Sequence, residues 1–197
     1  MRILGVIIAG GQSTRMGGAE KALTVLEGVT LVERIASRIG FQVDEVVINA
    51  NGDPARFAFM PNVVITDLLD VGTPLAGLHT ALSFGAEDGY DAVLTVPSDT
   101  PLLPLDLVER LKEAGVTNGA AFARSGMRDH YLTGLWTTAM ARPLEKLIQQ
   151  QNLRRVQDFC ARAKAENVVW ADVPHDPFFN INTPEDLLRA AAIVRGS

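Results

Sequence analysis

A single α/β domain, with a mostly parallel sheet and helices on both of its faces, is what three features of the sequence predict. Short runs rich in Val and Ile alternate with segments of helical spacing, as strands buried on both sides and joined by crossover helices do. The chain has 197 residues, 47% of them hydrophobic and 21% charged, enough for a substantial core in one unit of ordinary domain size. No repeat, low-complexity tract or Pro/Gly/Ser linker divides it, so the domain is assigned to residues 1–197.

The first strand is expected at Ile3 to Ala9, an apolar run followed closely by polar Gln12-Ser13-Thr14-Arg15. It is too short and too β-branched for a secretory signal, and no small-residue cleavage site follows it. Leu31 to Ile39 has helical spacing, with Thr30 and Glu33 placed as a capping box. Strands follow at Glu45 to Asn49 and Val63 to Thr66, then a helix at Leu75 to Phe84 and a fourth strand at Ala92 to Val96. After Pro104, a helix ending at Ala114 puts Leu107, Val108, Leu111 and Ala114 on one face. Beyond Gly115 the rhythm is less regular. Strands are expected at Gly119 to Ala123, Tyr131 to Trp136 and Val168 to Val173, and helices at Arg142 to Gln150 and Arg154 to Ala163. The last helix is marked by Thr183 as cap, Pro184 at its first position, and Glu185 and Asp186 in its first turn.

Eighteen Lys and Arg against 23 Asp and Glu leave a net charge of −5, which argues against a general grip on nucleic acid or an anionic membrane. A lone cysteine, Cys160, excludes an intrachain disulfide and any cysteine-built zinc or iron–sulfur centre, and it fits a reducing cytoplasm. No apolar stretch approaches the roughly 18 residues that a membrane span needs.

The segment most informative about chemistry runs from Ile8 to Lys21, Ile-Ala-Gly-Gly-Gln-Ser-Thr-Arg-Met-Gly-Gly-Ala-Glu-Lys, directly after the first strand. In a parallel sheet that is where ligands bind. Paired glycines let backbone N–H groups approach phosphate oxygens, and Arg15 and Lys21 supply compensating charge. The glycine spacing is neither a dinucleotide fingerprint nor a Walker A loop. Asp99 ends the fourth strand between Pro97 and Pro101, which aims one rigid carboxylate at the same edge. Mg²⁺ takes one or two protein carboxylates and fills its octahedron with water and phosphate oxygens, so Asp99 is the candidate metal ligand. Asn49 and Asn51 near the end of the second strand, and Asp67 after the third, offer amide and carboxylate groups suited to a base or ribose, with Asn51 read as a turn cap.

The loop from Ile8 to Lys21 resembles the signature of nucleotidyltransferases that use a nucleoside triphosphate to activate an acceptor. In detail it is similar to the molybdenum cofactor guanylyltransferases of the molybdopterin nucleotidyltransferase family. Thr73-Pro74-Leu75-Ala76-Gly77, Pro97-Ser98-Asp99-Thr100-Pro101 and Asn180-Ile181-Asn182-Thr183-Pro184-Glu185-Asp186-Leu187 resemble three further elements of that family, in family order. Ile8, Thr73 and Ser98 depart from the family's leucine, glycine and cysteine, and Thr73 is the departure that bears on nucleotide choice.

The resemblance implies a Rossmann-like nucleotidyltransferase fold and an enzyme that moves GMP from GTP to molybdenum-bearing molybdopterin, with Mg²⁺ as cofactor. It implies GTP contacts from Ile8, Ala9, Gly10, Gly11, Lys21, Asn49, Asp67 and Asp99, with Arg15, Lys21 and Asp99 carrying catalysis. Asn180 and Asn182 are the expected acceptor contacts, ahead of Arg128, Asp129, His130, Arg154 and Arg155. Other molybdenum cofactor biosynthesis proteins and apo-molybdoenzymes or their chaperones are the expected partners. The alternatives are a molybdopterin cytidylyltransferase, a sugar-phosphate nucleotidyltransferase, and a GTP-binding sensor or scaffold without turnover. His79, His175, Cys160, Trp136 and Trp170 read as structural.

Overall fold

The computed structural model describes residues 1–10, 21–115 and 117–196. Its spine is β1 (Ile3–Ile8), a strand buried along its whole length. A short 3₁₀ turn at Lys21–Leu23 leads into a hairpin of β2 (Val25–Leu26) and β3 (Val29–Thr30), then α1 (Leu31–Gly40) and β4 (Glu45–Asn49). After β5 (Val64–Ile65) come α2 (Pro74–Glu87), β6 (Ala92–Pro97) and α3 (Leu107–Ala114). The second half consists of β7 (Ala120–Ser125), β8 (Arg128–Thr137), α4 (Ala141–Gln151), α5 (Val156–Ala163), β9 (Glu166–Trp170) and α6 (Pro184–Arg195).

Among the described residues one sheet runs in the order β5-β4-β1-β6-β8-β7-β9. The pairs β5–β4, β4–β1, β1–β6 and β7–β9 are parallel, while β8 pairs antiparallel with both β6 and β7 and is the one reversed strand. The chain leaves β1 toward β4 on one side and returns to β6 on the other, so the strand order switches at β1, where open α/β sheets hold ligands.

Alternation along β1 divides the core. Ile3 and Ile7 pack with α1 and α3 through Val32, Ile35, Leu107 and Leu111, whereas Leu4, Val6 and Ile8 pack with α2, α4 and α5 through Leu75, Leu78, Leu144 and Phe159. This is the double covering expected of β-branched strands. Trp136 is fully buried and donates from Nε1 to Thr95 Oγ1 at 2.9 Å, and Cys160 is buried with its thiol pushed up to about 12 by desolvation. Among the described residues no helix is long and apolar enough to cross a membrane.

Both capping boxes lie where the sequence puts helix starts, at Thr30 and Glu33 for α1 and at Thr183 and Asp186 for α6. The hairpin β2–β3 was not expected. Two-residue strands carry no periodicity, and the turn is made by Glu27 and Gly28, both left-handed at φ 49° and 79°, as a two-residue hairpin turn requires. The last sheet strand runs over Glu166–Trp170, ahead of the expected Val168 to Val173. A third cluster, Leu26, Leu31, Ile181, Ala190 and Ala191, clamps α6 onto the hairpin.

Candidate active site

Backbone bonds carry the sheet ladder just past the strand ends and so align the loops that leave them. Ala50 N–H donates to Ile65 O, Ala9 N–H to Asn49 O and Ser98 N–H to Ile8 O, at 2.9, 2.8 and 3.1 Å. One edge of the sheet therefore presents Asp67, Asn49 with Asn51, Ala9 with Gly10, and Asp99 in spatial order. With strands about 4.8 Å apart, this row extends over roughly 15 Å.

At one end of the row stands Asp99. Its Oδ2 receives Lys21 Nζ at 3.3 Å and its Oδ1 receives Asn180 Nδ2 at 3.0 Å. Lys21 Nζ also donates to Asn182 Oδ1 at 2.5 Å. The Lys21 and Asp99 side chains keep 23% and 16% of their surface, so the pair is shielded but open to a ligand. Strand-like alternation explains why both asparagines arrive. Asn180 and Asn182 face the carboxylate and the ammonium, while Ile181 between them points the other way, fully buried against Leu26 and Leu31. Full burial of one such side chain stabilises by about 1.5–3 kcal/mol. Ile181 N–H donates to Asp99 O at 2.9 Å, and Asp186 accepts from the backbone N–H groups of Asn182 and Thr183 at 3.0 Å each. Those bonds, the Asn182 N–H foremost, hold the Asp186 carboxyl below the usual range.

Asn180 Oδ1 is buried without a hydrogen-bond donor, next to the carboxylate that its own Nδ2 engages. A carboxylate with an orphaned amide oxygen beside it is a hard-oxygen donor set of the kind Mg²⁺ takes. The residues present fit a divalent cation of that type.

At the other end stands Asp67. Asn49 Nδ2 donates to its Oδ1 at 3.0 Å and Asn51 Nδ2 to its Oδ2 at 2.8 Å, while Asp67 N–H donates back to Asn51 Oδ1 at 2.9 Å. Asn49 is 1% exposed, and its Oδ1 lacks a donor. Gly77, in the first turn of α2, lies so close that a Cβ there would stand 2.6 Å from Asn49 Oδ1 and 3.1 Å from Ile8 Cγ2. Gly10 lies against all three side chains of this cluster. Thr73 caps α2 without a side-chain cap bond, and its hydroxyl is buried and unpartnered.

Lys21, Asp99, Asn180 and Asn182 thus converge, and Asn49, Asp67 and Gly10 form a second group beside Ala9 and Ile8. Gly11 and Arg15 lie outside the described residues. Two of the basic candidates are engaged elsewhere, Arg154 donating to the backbone oxygens of Ile148 and Leu153 and Arg155 to Gln157, while the acidic candidate Asp129 takes Arg124 and Tyr131. His130 shares a 2.7 Å hydrogen bond with Ser125 and stacks on Phe178, and burial holds its pKa below the ordinary imidazole value. Asn51 does not cap its turn as expected. It clasps Asp67, 16 positions away. Asn49 and Asn51 stand two apart around the end of β4, so both reach Asp67 once β5 lies beside β4.

Residues 5–167 match the family described as the MobA-like NTP transferase domain. The molybdenum cofactor guanylyltransferase of Cereibacter sphaeroides is 43% identical over 195 residues, 99% of this chain and 98% of that protein. Among solved structures, molybdopterin-guanine dinucleotide biosynthesis protein A of Archaeoglobus fulgidus superposes with a TM-score of 0.74 at 24% identity, covering 99% of this chain and all of that one. A Mycobacterium tuberculosis protein in complex with manganese superposes at 0.69 with 16% identity, over 98% and 99% of the two chains. The last two likenesses concern the fold.

Proposed function

The chain belongs to the MobA-like NTP transferase domain family, and on that premise we propose that it is a molybdenum cofactor guanylyltransferase, moving GMP from GTP to the phosphate of molybdenum-bearing molybdopterin. It is a nucleotidyltransferase of Rossmann-like fold. An oxygen of the acceptor phosphate attacks the α-phosphorus of GTP, the bond to the α,β-bridging oxygen breaks, and pyrophosphate leaves with the electron pair. No enzyme nucleophile is needed, so the side chains act by positioning and by neutralising charge.

The observation that carries this reading is the junction at Asp99. A carboxylate at the end of β6 is bonded on one oxygen to the lysine that follows the β1 loop and on the other to an asparagine of the C-terminal segment. On this reading a nucleotide-side group and an acceptor-side group share one carboxylate, which supports transfer at that point. Asp99, with Asn180 Oδ1 beside it, would hold Mg²⁺, which when bound supplies charge neutralisation of the triphosphate. Lys21, and Arg15 from the preceding loop, bind the β- and γ-phosphates, and Asn180 and Asn182 orient the acceptor. Ile8, Ala9, Gly10 and Gly11 carry the nucleotide across the switch point, and Asn49 and Asp67 receive the base.

A carboxylate at the base end favours guanine, whose Watson–Crick edge places the N1–H and N2–H donors side by side. Cytosine offers only its N4 amino group there. The cytidylyl and sugar-phosphate alternatives have no such support. The single domain over residues 1–197, a cytoplasmic location and partners among cofactor-biosynthesis proteins and apo-molybdoenzymes or their chaperones belong to the same proposal.

Two measurements test it. Mg·GTP should raise the melting temperature more than Mg·CTP or Mg·ATP at equal concentration, because stabilisation follows affinity for the native state. Incubation with Mg²⁺, each nucleoside triphosphate and molybdenum cofactor should give the guanine dinucleotide by mass spectrometry. A cytosine dinucleotide as sole product would overturn the guanylyl assignment, and nucleotide binding without pyrophosphate release would make the chain a sensor.

A further inference from the structure

Asn51 has no part in the function stated above, yet its side chain makes two bonds to one residue. Nδ2 donates to Asp67 Oδ2 at 2.8 Å and Oδ1 accepts Asp67 N–H at 2.9 Å. The backbone N–H can only donate, so the direction of the amide is fixed, and with it the donor that meets the carboxylate. Asn49 engages the other carboxylate oxygen at 3.0 Å. Asp67 is thereby held by one amide on each oxygen. The turn after β4 does not need the Asn51 side chain, being closed by Gly52 at φ 87°, by Asp53 accepting Ala55 N–H, and by an arginine bond to the Asn51 backbone oxygen. Asn51 is also exposed, so its bonds add little to stability.

We infer that Asn51 is a positioning residue for base selection, fixing the plane of the Asp67 carboxylate so that its two free lone pairs face a pair of adjacent N–H donors. A second observation supports a donor-seeking site. Asn49 Oδ1, in a residue 1% exposed, is an acceptor without a donor in the same cluster. A base edge with two neighbouring donors, N1–H and N2–H of guanine, satisfies a carboxylate held this way. Hypoxanthine supplies only the first, and adenine and cytosine supply only an exocyclic amino group. Asn51 touches Asp67 and not the reacting atoms, so it sets which nucleotide is taken and not how fast the phosphorus is attacked.

The inference rests on the guanylyl reading, and GTP against ITP separates the two. Asn51→Ala should lower the GTP-over-ITP ratio of kcat/KM by about tenfold, the loss of roughly one charge-assisted hydrogen bond, mostly through the KM for GTP. Asn51→Asp, nearly isosteric but turning an oxygen toward the carboxylate, should lower it at least as much, and it supplies the comparison should the alanine variant melt early. Wild-type protein with no preference for GTP over ITP would bring down the guanylyl reading and this inference together. A wild-type preference that survives intact in the variants would overturn the inference alone.

Discussion

Lys21 and Asn182, 161 positions apart in the chain, are joined by a hydrogen bond from the ammonium to the amide oxygen, and Asp99 takes the same ammonium. The ammonium assigned to the triphosphate is therefore bonded directly to an amide assigned to the acceptor. Lys21→Ala should raise the KM for GTP and lower kcat, Asn182→Ala should raise the KM for the acceptor, and the double variant should lose less than the sum. A coupling of about 0.5–3 kcal/mol is expected for contacting residues. Strict additivity in steady-state kinetics would show that the contact is absent in the working enzyme.

Asp99→Asn keeps the shape of the side chain and removes its charge. An amide is a poor Mg²⁺ ligand and a poor partner for Lys21, so turnover should drop by about 10²–10³-fold or more while the melting temperature without ligand changes little. Activity within tenfold of wild type would take Asp99 out of the metal site.

Gly77→Ala places a methyl group 2.6 Å from Asn49 Oδ1. Overpacking of this kind costs about 1–3 kcal/mol, visible as a lower denaturant midpoint, and displacement of Asn49 should raise the KM for GTP. An unaltered midpoint would mean that α2 shifts freely away from the sheet.

His130 gives the stability a pH dependence with a defined sign. Burial holds its folded pKa below the ordinary 6.5, helped by Arg128 and opposed by Asp176 and Asp129. The unfolded chain thus binds the proton first as pH falls, so stability is full above about 6.5 and declines below it. Melting temperature should drop between pH 7.5 and 5.5, and His130→Gln should show a shallower drop. The same slope in that variant would clear His130 of the effect, leaving His79, whose burial acts in the same direction.

The regular half of the fold was legible because burial on both faces of β1, β4 and β6 leaves a hydrophobic run that polar loops interrupt, and because Thr30 and Thr183 announce their helices. The hairpin at Val25–Thr30 was not, since its register is set by two left-handed residues and by packing against α6, which no local pattern records. For the site, Asp99, Lys21, Asn180 and Asn182 stood out through their motifs. Their meeting depends on Ile181, whose apolar side chain carries no chemical signal and whose burial is a tertiary event. Asn51 was misread because an asparagine after a strand has a common local use, and only the fold brings Asp67 within its reach.

The clamp of α6 on the β2–β3 hairpin also orders the assembly of the Asp99 cluster as the chain is made. At about 5–20 residues per second, Lys21 leaves the ribosome roughly 10–30 s before Asn182 can reach it. The strands β5, β4, β1 and β6 can pair in that interval, because all their partners have already emerged. The cluster around Asp99 cannot close until Ile181 has docked between Leu26 and Leu31. A chain made only through β6 can thus pair those four strands, whereas the bonds from Asn180 to Asp99 and from Lys21 to Asn182 wait for the segment that carries Ile181.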